Sequence, residues 1–201
     1  MMIDQGLSNR QIKFIRKLNQ KKFRQKFSAY IVEGTKMAEE ALNICPELIE
    51  LFCATQYWYD RYRDLLPEGE DKVYHLLEED KIEELSSVDH PQGVLLVMKK
   101  GPLDHIEKHD QSLYIFLDAV QDPGNVGTMI RTADWFGHKK VYYGPGTVDP
   151  YNSKVVQASM GSLFRVEPVY VSRDNLNKES LNMTWTAASK EGMNLYDWKV
   201  E

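Results

Sequence analysis

The sequence predicts an α/β protein, and three observations lead to that class. Strand-like and helix-like segments alternate along the 201 residues, because apolar side chains repeat at strand spacing in some segments and at helical spacing in others. Hydrophobic residues make up 42% and charged residues 27% of the chain, which excludes collagenous and wholly disordered proteins. The polar stretch 99–111, with a Gly-Pro pair, interrupts the pattern. We therefore expect two α/β domains, 1–98 and 112–201, joined by a linker.

Local signals predict the elements of the first half. Ser8 and Gln11 have the spacing of a capping box, and Ile12, Ile15 and Leu18 then recur at helical spacing, which predicts a helix from about 9 to 19. A strand is expected over 27–33, followed by a helix capped by Thr35. The remaining elements alternate: strands at 48–54, 73–76 and 93–98, and helices at 58–66 and 78–85.

The second half repeats a strand-helix order. The expected strands are 113–120, 140–143, 164–171 and 184–188, and the expected helices are 126–136, 152–160 and a short one near 175–181. Strands separated by single helices pair in parallel, so we expect an open parallel sheet. Ligands of such sheets bind outside the carboxyl ends of the strands.

Charge is distributed unevenly along the chain. Residues 1–36 contain nine Lys and Arg against two acids, a net charge of +7, whereas 37–90 carry −11 and 91–201 carry −1. This basic arm suits a binder of phosphate backbones, although a solvated helix face would have the same composition. The candidate RNA-contacting residues are Arg10, Lys13, Lys17, Lys21, Lys22, Arg24 and Lys26.

The loop 121–127 (QDPGNVG) is the first candidate for chemistry. It follows an expected strand and opens a helix, so its free backbone amides favour an anion, and Arg131 follows soon after. An ordinary Pro-Gly turn with a surface arginine fits equally well. Neither the dinucleotide-binding GxGxxG pattern nor the phosphate loop GxxxxGK[ST] is present.

Other chemistry-bearing residues have structural interpretations. Trp135 and Phe136 are expected in the core rather than on a base-stacking surface. His105 and His109 have helical ligand spacing but no third ligand nearby, so we expect no metal site. No apolar run reaches the length of a membrane span and the first residues lack a secretory signal, so we expect a cytoplasmic protein without a membrane partner.

Three segments carry a more specific signal. Residues 117–137 (LDAVQDPGNVGTMIRTADWFG) resemble the first signature motif of the SpoU or TrmH class of RNA ribose methyltransferases, in the SPOUT superfamily. Residues 155–164 (VVQASMGSLF), with the strand that follows, resemble the second conserved region of that class. The opening of the chain resembles the family's substrate-binding domain, which is similar to ribosomal protein L30e. The resemblance covers essentially the whole chain.

The resemblance implies a SPOUT-type trefoil-knot domain at 112–201 after an L30e-like RNA-binding domain at 1–98. It implies S-adenosylmethionine as cofactor, the ribose 2′-hydroxyl of rRNA or tRNA as target, and a homodimer. Asn125 and Arg131 match the family's catalytic residues, and Ala187, Ala188 and Ser189 are its cofactor contacts. Deprotonating an arginine at pH 7 would cost about 9 kcal/mol, so we expect Arg131 to orient the ribose and its phosphate, with Asn125 holding the arginine or the ribose.

The sequence departs from the family at its C-terminal end. The family's glycine-rich GNEG-like loop, and the SLNxS-like helix start that follows it, do not occur before Glu201. We therefore expect a methyltransferase domain that lacks its final knot-forming segment, which bears on cofactor binding and dimerisation. The alternative hypothesis is a nonenzymatic RNA-binding module.

Overall fold

The computed structural model describes residues 2–66, 73–101, 113–172, 174–175, 186–188 and 191–197. Met1–Val171 form one compact unit and Ser172–Glu201 form a second. Among the described residues, no helix is both long and apolar enough to cross a membrane.

The first sheet has five strands: β1 (Met2–Gln5), β2 (Ala29–Glu33), β3 (Ile49–Thr55), β4 (Val73–Leu77) and β5 (Val94–Lys99). Their order is β1-β4-β3-β5-β2, with β1, β4 and β3 parallel and β5 antiparallel to both its neighbours. Five helices belong to the same part of the chain: α1 (Asn9–Leu18), α2 (Lys21–Phe27), α3 (Thr35–Ile44), α4 (Gln56–Tyr62) and α5 (Glu79–Leu85).

Most of these elements match the expected ones. The capping box of α1 is formed, since Gln11 N donates to Ser8 Oγ and the Gln11 side chain accepts from Ser8 N. Ile15 and Leu18 are buried as expected. The apolar strand β5 is buried from Val94 to Met98, which agrees with its continuous apolar sequence.

Two elements of the first half were not predicted. The strand β1 is a four-residue edge strand, too short for a pattern, that pairs in parallel with β4. The helix α2 includes Phe27, which was assigned to a strand. The rings of Phe23 and Phe27 stack with centroids 6.0 Å apart, at the i,i+4 spacing of neighbouring helix turns. Ser28 then ends the helix in the left-handed conformation at φ 48°.

The second sheet is parallel, as predicted. Its strands β6 (Phe116–Leu117), β7 (Lys140–Tyr143) and β8 (Glu167–Tyr170) lie in the order β6-β7-β8. The helices α6 (Pro123–Trp135) and α7 (Ser153–Ser159) follow β6 and β7. Residues 186–188, part of the strand predicted at 184–188, have no regular structure. The helix near 175–181 and the His105–His109 pair lie outside the described residues, apart from Asn175.

A continuous apolar core connects the two sheets inside the unit Met1–Val171. One side of the first sheet packs under α1 and α5, with Ile15, Leu18 and Ile82 at its centre. The other side shares one buried cluster with residues of α6 and α7. The rings of Tyr30 on β2 and Tyr151 before α7 meet at 4.8 Å, so the two halves pack directly against each other.

Candidate active site and RNA-binding surface

The amino terminus of α6 is capped by a carboxylate of the chain itself. Asp122 Oδ1 accepts from Asn125 N at 2.8 Å, and Pro123 occupies the first helical position, where its missing N–H costs nothing. The segment is therefore a capped helix start rather than a Pro-Gly turn. Because the Asp122 carboxylate already lies at this terminus, the geometry favours a self-capped helix over the anion site that the sequence left open.

The helix α6 has a buried face and an exposed one. Val126, Ile130 and Ala133 point into the core. Gly127 lies so close to α7 that a Cβ there would come within 2.4 Å of the Cβ of Ala158. The glycine is thus what allows α6 and α7 to pack closely, and this fixes the orientation of α6.

Asn125 and Arg131 both lie on the exposed side of α6. Six residues of helix separate them by about 9 Å along the axis and about 120° around it. No hydrogen bond joins the two side chains in this structure, and the expected role of Asn125, to hold the arginine or the ribose, stays a prediction. Among the described residues Arg131 has no ion-pair partner, which leaves its guanidinium available to a ribose or a phosphate.

The aromatic residues at the end of α6 are exposed, and their expected place in the core was wrong. Trp135 is 86% exposed, Phe136 73% and Met129 39%. The buried stripe of α6 runs through positions 126, 130 and 133, and position 135 lies on the opposite side of the helix. The exposed side of α6 therefore carries Trp135 one turn after Arg131, with two further apolar side chains exposed elsewhere around the helix.

Six of the seven basic candidates are exposed on α1 and α2. The six exposed side chains are those of Arg10, Lys13, Lys17, Lys21, Lys22 and Lys26. They surround the aromatic residues of α2, where the ammonium groups of Lys17 and Lys22 lie 5.4 and 4.8 Å from the ring centroid of Phe23. This part of the basic arm is a continuous cationic surface.

Arg24 was wrongly placed in that set. Its side chain is 4% exposed, and Nε and Nη2 both donate to Asp149 Oδ2 at 2.8 Å. Nη1 donates to the carbonyl oxygens of Leu18 and Asn19. The guanidinium is therefore fully used inside the protein, where it joins α2 to the segment before α7 and cannot meet an RNA phosphate.

The carboxyl ends of β6 and β7 are joined by a buried threonine. Thr147 Oγ1 donates to the carbonyl oxygen of Leu117 at 2.9 Å and lies 3.3 Å from Val120 N, for which it is the acceptor. Val148 N donates to the carbonyl of Val120. Thr147 and Asp149 thus shape the edge where ligands of open α/β sheets bind, and no local sequence pattern identified either residue.

The expected cofactor contacts are only partly described. Ala187 and Ala188 are exposed in the unit Ser172–Glu201, and Ser189 lies outside the described residues. The three positions remain a prediction from the resemblance.

Comparison with known families matches both parts of the chain. Residues 9–96 match the MRM3-like substrate binding domain, and residues 112–201 match the SpoU rRNA Methylase family. The 23S rRNA (guanosine(2553)-2′-O)-methyltransferase RlmP of Bacillus subtilis is 30% identical over 200 residues, which cover 91% of this chain and 72% of that protein. The mitochondrial rRNA methyltransferase 3 of Xenopus tropicalis is 33% identical over 162 residues, 77% of this chain but 38% of that protein.

Solved structures of similar proteins support the same family. A TrmH-family protein from Porphyromonas gingivalis is 37% identical with a TM-score of 0.69, and the match covers 82% of this chain and 63% of that one. The AdoMet-bound rRNA methyltransferase from Sinorhizobium meliloti is 28% identical with the same TM-score, over 88% of this chain and 67% of that one. The expected fold class is therefore confirmed, while the knot stays a prediction. Both its parts, its relatives and its structural neighbours place the chain in the SpoU rRNA methylase family.

Proposed function

We propose that the protein transfers a methyl group to a ribose 2′-hydroxyl of rRNA. The observation that carries this proposal is Arg131, an unpaired guanidinium held outward on the rigidly packed helix α6, within the segment that resembles the family's first motif. The names of the two relatives above support rRNA as the substrate. As methyl donor we propose S-adenosylmethionine, which is the compound bound in the Sinorhizobium structure.

The proposed roles concern only the side chains that face RNA. Methyl transfer to a hydroxyl requires the oxygen to be aligned with the methyl group and its proton to be lost, here to water. A cation beside the oxygen stabilises the negative charge that develops as the proton leaves. Arg131 stays protonated and donates to the ribose or its phosphate in a fixed planar geometry. Asn125, one turn and a half earlier on α6, donates to a second oxygen of the same nucleotide. Neither role involves covalent chemistry on the protein.

The substrate is held by the exposed cations of the basic arm. The six exposed Lys and Arg of α1 and α2 bind RNA phosphates and release condensed counterions. Arg24 contributes indirectly, because its bond to Asp149 joins α2 to the second sheet. The basic arm thus has a fixed attachment to the part of the molecule that carries α6.

The active protein is a homodimer in which a second copy covers the exposed end of α6. Trp135, Phe136 and Met129 form an apolar surface of the kind that soluble monomers rarely leave in water. Dimer interfaces are enriched in such aromatic and Met residues. Trp135 lies one turn after Arg131, so the second copy would lie close to the arginine that contacts the ribose.

The test is to locate the transferred methyl. The chain is incubated with labelled S-adenosylmethionine and a 23S rRNA fragment, and the digested RNA is analysed as nucleosides. We expect 2′-O-methylated ribose, and a rate about 10²-fold lower for Arg131→Lys, which keeps the charge but loses the planar fork. Arg63→Lys, an exposed arginine after α4, is the matched control and should react normally. Label on a base, or a normal rate for Arg131→Lys, would contradict the proposal.

The exposed cations of α1 and α2 would serve a second candidate equally well, an RNA-binding module without catalysis. The same experiment separates the two. Salt-dependent binding of the rRNA fragment without any methyl transfer would support the binding module and exclude the enzyme.

A further inference from the structure

A second ligand-sized site lies away from α6. A groove of about 700 Å³ opens between α1 and the first residues of β3, within the range of small-molecule pockets. Phe14, Phe27 and Leu51 supply its apolar lining. Arg10, Lys13 and Lys17 supply positive charge to the same groove. The proposed function uses these three cations as phosphate contacts and leaves the apolar lining of the groove without a role.

The aromatic side chains of the groove are held in fixed orientations. The rings of Phe14 and Phe27 meet edge to face, with centroids 5.3 Å apart and planes at 82°. Phe27 also stacks on Phe23, yet 37% of it stays exposed. Lys26 lies 5.8 Å from the centroid of the Phe27 ring. The groove therefore presents a partly exposed aromatic ring, held in a fixed orientation, among cations.

This combination suits a nucleotide. A base stacks on an aromatic ring while its phosphates pair with neighbouring Lys and Arg, and such stacking contributes about 1–3 kcal/mol per base. An RNA duplex keeps its bases stacked inside and cannot offer one to the groove. The ligand that fits is an unstacked base of a single-stranded segment.

Glu50 makes the groove selective. Its side chain lines the groove and forms no hydrogen bond or ion pair with any residue that the structure describes. A carboxylate repels phosphate but accepts two parallel hydrogen bonds from adjacent donors. Guanine alone presents two adjacent donors on its Watson–Crick edge, N1–H and N2–H₂. The other bases place an acceptor beside their donor, which a carboxylate repels.

We propose that this groove binds an unstacked guanine of single-stranded RNA. The base packs against Phe27, its N1–H and N2–H₂ donate to Glu50, and its phosphates meet Arg10, Lys13 and Lys17. The inference rests on the proposed RNA substrate and names the nucleotide that the basic arm recognises. The bound guanine fixes the register of the RNA and is distinct from the methylated nucleotide at α6.

The test uses labelled pentaribonucleotides that differ only at the central base. Binding of UUGUU, its inosine counterpart UUIUU and UUAUU is measured by fluorescence anisotropy. Inosine lacks the N2 amino group, so we expect about tenfold weaker binding than for guanine, and weaker still for adenine. Glu50→Gln should reduce the difference between guanine and inosine to less than about twofold, since the amide offers a single acceptor oxygen.

A second pair of variants tests stacking. Phe27→Leu keeps the apolar contact with Phe14 but removes the ring face, and should weaken guanine and inosine binding alike by about tenfold. Tyr57→Leu, which alters an exposed ring on α4, is the matched control and should change neither. Thermal melting confirms that each variant is folded. Equal affinities for the three oligonucleotides, or equal losses for Phe27→Leu and Tyr57→Leu, would overturn the proposal.

The two proposals fail in different ways. If an rRNA fragment is bound and methylated while the three pentanucleotides bind equally, the guanine groove is wrong and the proposed function stands. If the pentanucleotides are discriminated as expected but no ribose is methylated, the groove stands and the proposed reaction is wrong.

Discussion

The helices α1 and α6 begin in the same way but present opposite kinds of surface. Each has a side chain that caps its first turn, Ser8 for α1 and Asp122 for α6. The exposed face of α1 is cationic, whereas α6 exposes Trp135 one turn after Arg131. The difference fits the proposed division of roles, in which α1 meets RNA and the exposed end of α6 meets a second copy of the chain.

The largest effect should come from the one cation of the basic arm that is buried. Arg24→Ala leaves Asp149 buried without its partner and should lower the free energy of unfolding by about 3–5 kcal/mol. Lys22→Ala, two residues away on the same helix and exposed, should change it by less than about 0.5 kcal/mol. Urea denaturation measures both, and similar values for the two variants would contradict the distinction between them.

A substitution in the contact between α6 and α7 should lower the free energy of unfolding nearly as much as Arg24→Ala. Gly127→Ala forces a Cβ against Ala158 and should cost about 1–3 kcal/mol of unfolding free energy. Thr128 is the next residue and is exposed, so Thr128→Ala should leave the unfolding free energy within about 0.5 kcal/mol of the parent. Urea denaturation measures both variants. An unchanged stability for Gly127→Ala would mean that α6 and α7 do not need their close contact.

A substitution among the exposed apolar residues of α6 should affect assembly rather than folding. Trp135→Glu places a charge on the exposed apolar surface, so light scattering should show a single-chain mass where the parent shows twice that mass, while unfolding changes by less than about 0.5 kcal/mol. Tyr57→Glu, an exposed aromatic on α4, serves as the control and should leave the mass unchanged. A parent protein that is already monomeric would remove the dimer from the proposal.

The last effect concerns RNA binding by α1 and leaves folding unchanged. Lys13→Ala combined with Lys17→Ala removes two phosphate contacts, so the slope of log K against log salt for rRNA binding should fall by about 1.4–1.8. Lys81→Ala serves for comparison, because Lys81 pairs with Glu84 on α5 and should leave the slope unchanged. An unaltered slope for the double variant would mean that Lys13 and Lys17 do not contact RNA phosphates.

Much of the fold could be predicted because its signals are local. The capping box of α1 and the apolar run of β5 each lie within a few residues of sequence. The helix α6 was predicted from residue 126, and the structure begins it three residues earlier, at Pro123. The helix α2 was missed because its seven residues are mostly basic and carry only the Phe23–Phe27 spacing as a helical signal.

The site was less predictable, since its determinants are distant in sequence. The partner of Arg24 lies 125 residues along the chain, so a count of local charges placed this arginine with the exposed ones. The exposure of Trp135 could not be inferred from its hydrophobicity, because hydrophobicity predicts burial for any large apolar side chain. Asn125 and Arg131 came from the family resemblance, and their roles stay predictions.

In the proposed function α1 binds the RNA and α6 carries the chemistry, and steady-state methyl transfer to an rRNA fragment tests this division directly. Arg131→Lys should lower kcat by about 10²-fold with little change in KM, because it removes an interaction made in the transition state. The double variant Lys13→Ala with Lys17→Ala should raise KM by about tenfold or more and leave kcat unchanged, because it removes binding common to substrate and transition state. If both variants changed the same parameter, or if Arg131→Lys kept a normal kcat, the division between the two helices would be contradicted.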